Sequence, residues 1–189
     1  MYQLLKDYLS RHINIDDEHI NSLETVFHPK TTKRNEILLE AGSICRYMYF
    51  VNKGCLRVYL MDENGRESTR FLVPEGRIGT AFPSFILQEP SLAYIQSIEP
   101  SELLHINFQD FRRLPDLIPG WEKFYALTLE QDYIASIKRI ESLITMGAKE
   151  RYALLMKENP GFIKRLPSKI IADYLGISQE TLSRLKAKG

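Results

Sequence analysis

The spacing of apolar residues along this chain changes period twice. At the start, Leu4, Leu5, Tyr8 and Leu9 recur at helical spacing. A second helix is expected to open near Asp16-Asp17-Glu18, because acids suit the positive end of a helix dipole, and to bury Ile20, Leu23 and Phe27. From about Lys33 to Ile106 the period shortens to that of strands. Ile37-Leu38-Leu39 runs into a turn at Ala41-Gly42-Ser43, Tyr47 to Asn52 is aromatic-rich, and Lys53-Gly54 reads as a turn. In Cys55 to Met61, Leu56, Val58 and Leu60 alternate with Arg57 and Tyr59. Asp62-Glu63-Asn64-Gly65 is a turn signal, Phe71-Leu72-Val73 closes the next strand, and Pro74-Glu75-Gly76 and Gly79 punctuate before Ala93 to Ile98 and Glu102 to Ile106. Short strands with turns roughly every 8–12 residues predict a sandwich, jelly roll or barrel.

Beyond Asn107 the helical period returns. Phe108 to Leu114 forms one short helix, and about Trp121 to Thr145 forms a long one with no interior Pro or Gly, roughly 35 Å at 1.5 Å per residue. Tyr133, Ile137, Ile140 and Ile144 make one stripe on it, with Leu127, Ile134 and Leu143 off that stripe. Two apolar faces need two partners: the β-domain for one, and the same helix of a second subunit for the other. Gly147 is expected to end this helix and mark a domain boundary. Ala148 to Glu158 is a further helix, stopped by Asn159-Pro160-Gly161.

Composition narrows the class. Of 189 residues, 44% are hydrophobic and 26% charged, which excludes a disordered or fibrous chain. The net charge of +1 conceals a polarity: from Ala148 to Gly189 there are nine Lys or Arg against four Asp or Glu. A small basic module on a more acidic body suits a polyphosphate partner, although lysines near helix ends also complement the helix dipole. The two cysteines, Cys45 and Cys55, lack metal or redox spacing and read as small buried residues. His12, His19, His28 and His105 are scattered, so no metal site is expected. No signal-like or membrane-spanning run is present, and a cytoplasmic protein is expected. Nucleophile-elbow, zinc-protease, P-loop and dinucleotide fingerprints are absent, so no enzyme is expected.

The sharpest motif runs from Leu166 to Leu185. Ile170, Ile171, Tyr174 and Leu175 give a short helix one apolar side, with Ala172 small enough for a close crossing. Gly176 can end it in the left-handed conformation, Ile177 plugs the turn, and Ser178 suits an N-cap. Leu182 and Leu185 then face inward, leaving Gln179, Glu180, Ser183, Arg184 and Lys186 outside. This is the pattern of a helix-turn-helix, whose second helix enters the major groove. Glu180 can accept from cytosine N4 and Arg184 can bind guanine O6 and N7. Ser168, Lys169, Ser178, Lys186 and Lys188 are suited to the DNA contact as well, phosphates being the natural target of the serine and lysines.

With these pieces in place, the chain resembles the Crp/Fnr family of bacterial transcription regulators over nearly its whole length. The resemblance rests on Asn35-Glu36-Ile37-Leu38-Leu39-Glu40-Ala41-Gly42, Phe50-Val51-Asn52-Lys53-Gly54-Cys55-Leu56-Arg57, Gly65-Arg66-Glu67 before Phe71 and Pro74-Glu75-Gly76, the long helix, and the final Ser178-Gln179-Glu180-Thr181-Leu182-Ser183-Arg184. It implies an α+β fold: an antiparallel β-roll of the jelly-roll, cyclic-nucleotide-binding type flanked by helices, a long dimerisation helix, and an all-α helix-turn-helix domain. The corresponding ranges are 1–120, 121–146 and 147–189. It also implies binding of double-stranded DNA as a homodimer, and leaves open RNA polymerase and a small-molecule effector as further partners. The family's recognition helix usually reads Arg-Glu-Thr followed by Arg; here Glu180, Thr181 and Arg184 match while Gln179 replaces the first Arg, which implies an altered site preference.

Two departures stand out. The family's phosphate-binding cassette has Gly-Glu near its start and an Arg near its end. Here Gly79 is followed by Thr80, and Glu89-Pro90-Ser91-Leu92-Ala93-Tyr94 contains no Arg. A buried phosphate without a counter-charge is costly, so cyclic AMP is not expected as a cofactor or tight ligand. A retuned pocket would be lined by Gly79, Thr80, Phe82, Phe85, Ser91, Leu92 and Tyr94. The sequence given stops at Gly189 without the family's usual β-hairpin wing, so the expected domain lacks a full wing and dimer avidity should matter for DNA. The alternative is a ligand-sensing or protein-interaction module of the same fold that does not touch DNA.

Overall fold

The computed structural model describes residues 1–187. In chain order its elements are α1 (Gln3–Leu9), α2 (Asp17–Val26), β1 (His28–Thr32), β2 (Ile37–Leu39), β3 (Tyr47–Lys53), β4 (Leu56–Met61), β5 (Glu67–Val73), β6 (Ile78–Gly79), α3 (Phe82–Leu87), β7 (Tyr94–Ser97), β8 (Ser101–Asn107), α4 (Phe108–Leu117), α5 (Trp121–Thr145), α6 (Ala148–Glu158), α7 (Pro160–Arg165), α8 (Ser168–Leu175) and α9 (Gln179–Ala187). They form two compact units: residues 1–60 with 71–128, and residues 61–70 with 129 onward. Helix α5 runs from the first into the second.

The first unit is the β-roll. Its strands make two four-stranded sheets, β1-β8-β3-β6 and β2-β7-β4-β5, and the β1·β8, β3·β8, β3·β6, β2·β7 and β4·β7 pairs are antiparallel. Alternation decides the facing. Leu56, Val58 and Ile95 from one sheet and Phe50, Leu104 and Ile106 from the other are all buried in one core. The core extends through edge-on aromatic contacts. Phe85 lies 5.4 Å from Phe111, and Tyr8 lies 5.4 Å from Phe124, so α1, α3, α4 and the start of α5 close over the roll. Offset and edge-on geometry is what ring quadrupoles favour. Gly54, at φ +100, turns β3 into β4; a Cβ there would sit 2.1 Å from Ser101 Oγ, which only glycine avoids.

Helix α2 opens as its sequence suggests. The Asp16 carboxylate accepts from the His19 amide at 3.0 Å, and this cap holds the carboxyl below its usual range, aided by the nearby His19 and Lys6. Several elements differ from the hydrophobic pattern. Strand β1 has almost no apolar residue to signal it, because it is an edge strand; its Pro29 is tolerated there. The stretch between Gly79 and Ala93 holds helix α3, opened by Pro83 and ended by Gln88 in the left-handed region at φ 55. Helix α4 runs past Leu114, through Pro115, to Leu117. Asn159-Pro160-Gly161 does stop α6 but also starts α7, since proline's fixed φ suits a first helical position. Gly147 adopts φ −72 rather than a left-handed cap, and its amide donates to the Glu150 carboxylate at 2.7 Å to open α6. No described helix is long and apolar enough to cross a membrane.

Candidate functional site

In the second unit, α8 and α9 make the turn that the sequence motif predicts. The inward residues are Ile170, Ile171, Ala172, Leu175 and Leu182, all buried with Leu155, Phe162 and Leu166. Gly176 takes φ +64, and the Ile177 amide donates to the Ala172 carbonyl at 3.0 Å, so the last carbonyls of α8 are satisfied by a left-handed cap. Ser178 then caps α9: its hydroxyl accepts from the Thr181 amide at 3.2 Å. This pair of caps fixes the angle between the helices, which a two-helix motif needs in order to present one of them.

The outer face of α9 carries Gln179, Glu180, Ser183 and Arg184, all exposed. Glu180 and Arg184 are four residues apart and so share a face. The Ser178 hydroxyl, the helix-start amide and Arg184 together hold the Glu180 carboxyl below its usual range, so it is an obligate acceptor at neutral pH. Lys186 Nζ donates to Ser168 Oγ at 2.9 Å, which brings the end of α9 beside the start of α8. Lys169 Nζ lies 3.3 Å from Glu67 Oε2 of the 61–70 hairpin tip, within this same unit. Lys188 lies outside the described residues. The structure therefore brings Ser168, Lys169, Ser178, Gln179, Glu180, Ser183, Arg184 and Lys186 onto the exposed part of one two-helix unit.

The hydrophobic pattern gave no hint of two arginines that hold α8 in place. The Arg139 guanidinium donates to the Tyr174 carbonyl and lies 4.1 Å over the Tyr174 ring. Arg151 Nε donates to the Leu175 carbonyl at 2.8 Å. Both serve the carbonyl end of α8, where the orphan acceptors and the negative end of the dipole attract cations. An arginine five residues or more from any motif carries no signal in sequence for such a role.

Helix α5 exposes its stripe. Tyr133, Ile137, Ile140 and Ile144 are 69%, 37%, 52% and 77% exposed, and Ile134 and Leu143 are exposed beside them. Its first turns are different, with Trp121 and Phe124 buried in the roll.

The seven cassette residues are placed unevenly. Gly79 lies in β6, where a Cβ would press to 3.0 Å on Val73 Cγ2. Thr80 donates to the Tyr47 carbonyl at 3.2 Å. Phe85 is fully buried core, whereas Phe82 and Leu92 are 39% and 84% exposed. Ser91 is buried, and its hydroxyl is bonded to the Ala93 backbone. Tyr94 stacks on Tyr59 at 4.9 Å, and the Arg57 guanidinium lies over the Tyr59 ring, 3.9 Å from its centroid. The two cysteines are buried: Cys45 Sγ sits 3.4 Å from Thr80 Oγ1, and Cys55 lies inside the roll.

Known proteins share this arrangement. Residues 29–116 match the model of the cyclic nucleotide-binding domain. The regulatory protein HlyX of Actinobacillus pleuropneumoniae is 23% identical over 184 residues, 90% of this chain and 75% of that protein. The anaerobic regulatory protein of Pasteurella multocida is 25% identical over 185 residues, 90% of this chain and 66% of that one. Among solved structures, the c-di-GMP-responsive global regulator CLP of Xanthomonas campestris superposes with a TM-score of 0.73 at 15% identity, covering 92% of this chain and 91% of that one. By sequence the chain is similar to these regulators over most of its length and carries a cyclic nucleotide-binding domain, and its fold is that of the solved regulator.

Proposed function

We propose that this chain is a transcription regulator, not an enzyme, that binds double-stranded DNA as a homodimer and reads base edges with α9. The observation that carries this reading is the exposed row Gln179, Glu180, Ser183 and Arg184 on a helix fixed by the Gly176 turn and the Ser178 cap. Ionised Glu180 suits cytosine N4, and Arg184 suits guanine O6 and N7. Ser168, Lys169 and Lys186 stand where phosphates flank such a helix. The exposed apolar stripe of α5 supports pairing of two copies, each burying Ile137, Ile140 and Ile144 against the other. Two recognition helices would then meet half-sites about 34–36 Å apart, one turn of DNA.

The cassette is read as retuned. Residues 79–94 contain no Lys or Arg to pair with a cyclic phosphate, so calorimetry with cyclic AMP should show no micromolar binding.

Selection from a library of randomised duplexes tests the main reading. The full chain should enrich a two-fold symmetric motif with half-site centres about 10 base pairs apart. Enrichment of no motif, with equal weak binding to all duplexes, would transfer the chain to the class of ligand-sensing or protein-interaction modules of this fold.

A further inference from the structure

Strand β2, the loop over residues 40–46 and the start of β3 border a half-open cavity of about 360 Å³, within the size range of sites for small ligands. None of cassette residues 79–94 lines it, although Thr80 and Ser84 bond to the backbone of its Tyr47 and Cys45, so it adjoins the cassette without including it. Ile37, Ile44, Tyr47 and Tyr49 supply its apolar and aromatic lining, beside Ser43 and two charged residues. The Tyr47 ring is held edge-on against His105 at 5.0 Å, which makes it a fixed wall.

Two observations point to an occupant. Tyr49 lines the cavity and is only 4% exposed, and its hydroxyl, which is not shut off from water, has no hydrogen-bond partner among the described residues. Burial raises its pKa, so the phenol keeps its proton and can donate. A phenol O–H that no protein group engages is free to donate to a polar ligand atom. Glu40 and Arg46 line the same cavity; both are exposed, and neither side chain has an ion-pair or hydrogen-bond partner among the described residues. The cavity thus offers an anion and a cation, apolar side chains, and a phenol hydroxyl with no protein partner among the described residues.

We propose that this cavity binds a free aromatic α-amino acid. The ligand carboxylate pairs with Arg46 and its ammonium with Glu40. Its ring lies among Ile37, Ile44 and Tyr47, and the Tyr49 hydroxyl bonds to a polar atom on the side chain, as a phenol or indole provides. A single-headed molecule would leave one of the two charges unmet, which sets the specificity. The inference does not rest on DNA binding.

Calorimetry on the full chain, without DNA, tests it with L-tyrosine, L-tryptophan and L-phenylalanine against tyramine and 3-(4-hydroxyphenyl)propionate. Saturable binding tighter than about 1 mM is expected for at least one of the three amino acids, with each single-headed analogue weaker by about tenfold. E40Q should erase the preference over 3-(4-hydroxyphenyl)propionate, and R46Q the preference over tyramine. Y49F should weaken L-tyrosine about tenfold while leaving L-phenylalanine unchanged, with unaltered melting temperatures showing that each variant folds. No saturable binding of any of the three at about 1 mM, or binding that E40Q and R46Q leave unchanged, overturns the proposal.

Discussion

Glu180 and Arg184 share one exposed face of α9, whereas Lys169 and Lys186 sit at its margin beside Ser168. Their replacements should therefore behave differently. Arg184→Ala should cost about 1–3 kcal/mol on the preferred duplex and relax the preference at one base position. Lys186→Ala should weaken all duplexes alike and reduce the salt slope by about one. Competition binding on single-base variants of the selected site separates the two. Within the roll, Gly54→Ala meets both the positive φ and the Ser101 backbone 2.9 Å from the new Cβ, and should cost on the order of 1–3 kcal/mol or more in denaturant unfolding. His105 gives a pH signature. Burial, with His28 and Lys30 nearby, lowers its pKa from 6.5. As pH falls below that value the unfolded chain takes up a proton that folded His105 resists, so stability declines toward acid. Urea unfolding at neutral and mildly acid pH should show this decline, smaller in His105→Gln.

At the scale of elements, the exposed stripe on α5 should govern assembly. Ile137→Glu with Ile140→Glu places charge in the proposed seam, and sedimentation should show monomers where the parent chain shows dimers. Unchanged sedimentation would place the subunit contact elsewhere. This helix was legible in sequence because its apolar residues recur without an interrupting Pro or Gly over 25 residues. The turn from α8 to α9 was legible because Gly176 and Ser178 each have a local physical reason to be there. Strand β1 and helix α3 were not. An edge strand such as His28–Thr32 buries little and so has no alternation to read. Helix α3, at six residues, is too short to set a period, and its fully buried Phe85 could belong to a strand equally well. The same limit applies to the cassette: residue types alone could not separate Phe85 in the core from Phe82 and Leu92 on the surface.

For the whole molecule, a net charge of +1 said little, while its uneven distribution pointed to the terminal helices. A basic module that binds a polyanion must release counterions, so affinity for DNA should fall steeply with salt. Salt dependence alone reports phosphate contact; the claim made for α9 is that it reads sequence. The most direct measurement is the affinity ratio between the selected duplex and a scrambled one of equal length, for the parent chain and for Arg184→Ala, at one physiological salt concentration. The account predicts a ratio of at least about 10³ for the parent that drops by about tenfold or more in the variant. A ratio near one for the parent, or one that Arg184→Ala leaves unchanged, would contradict it.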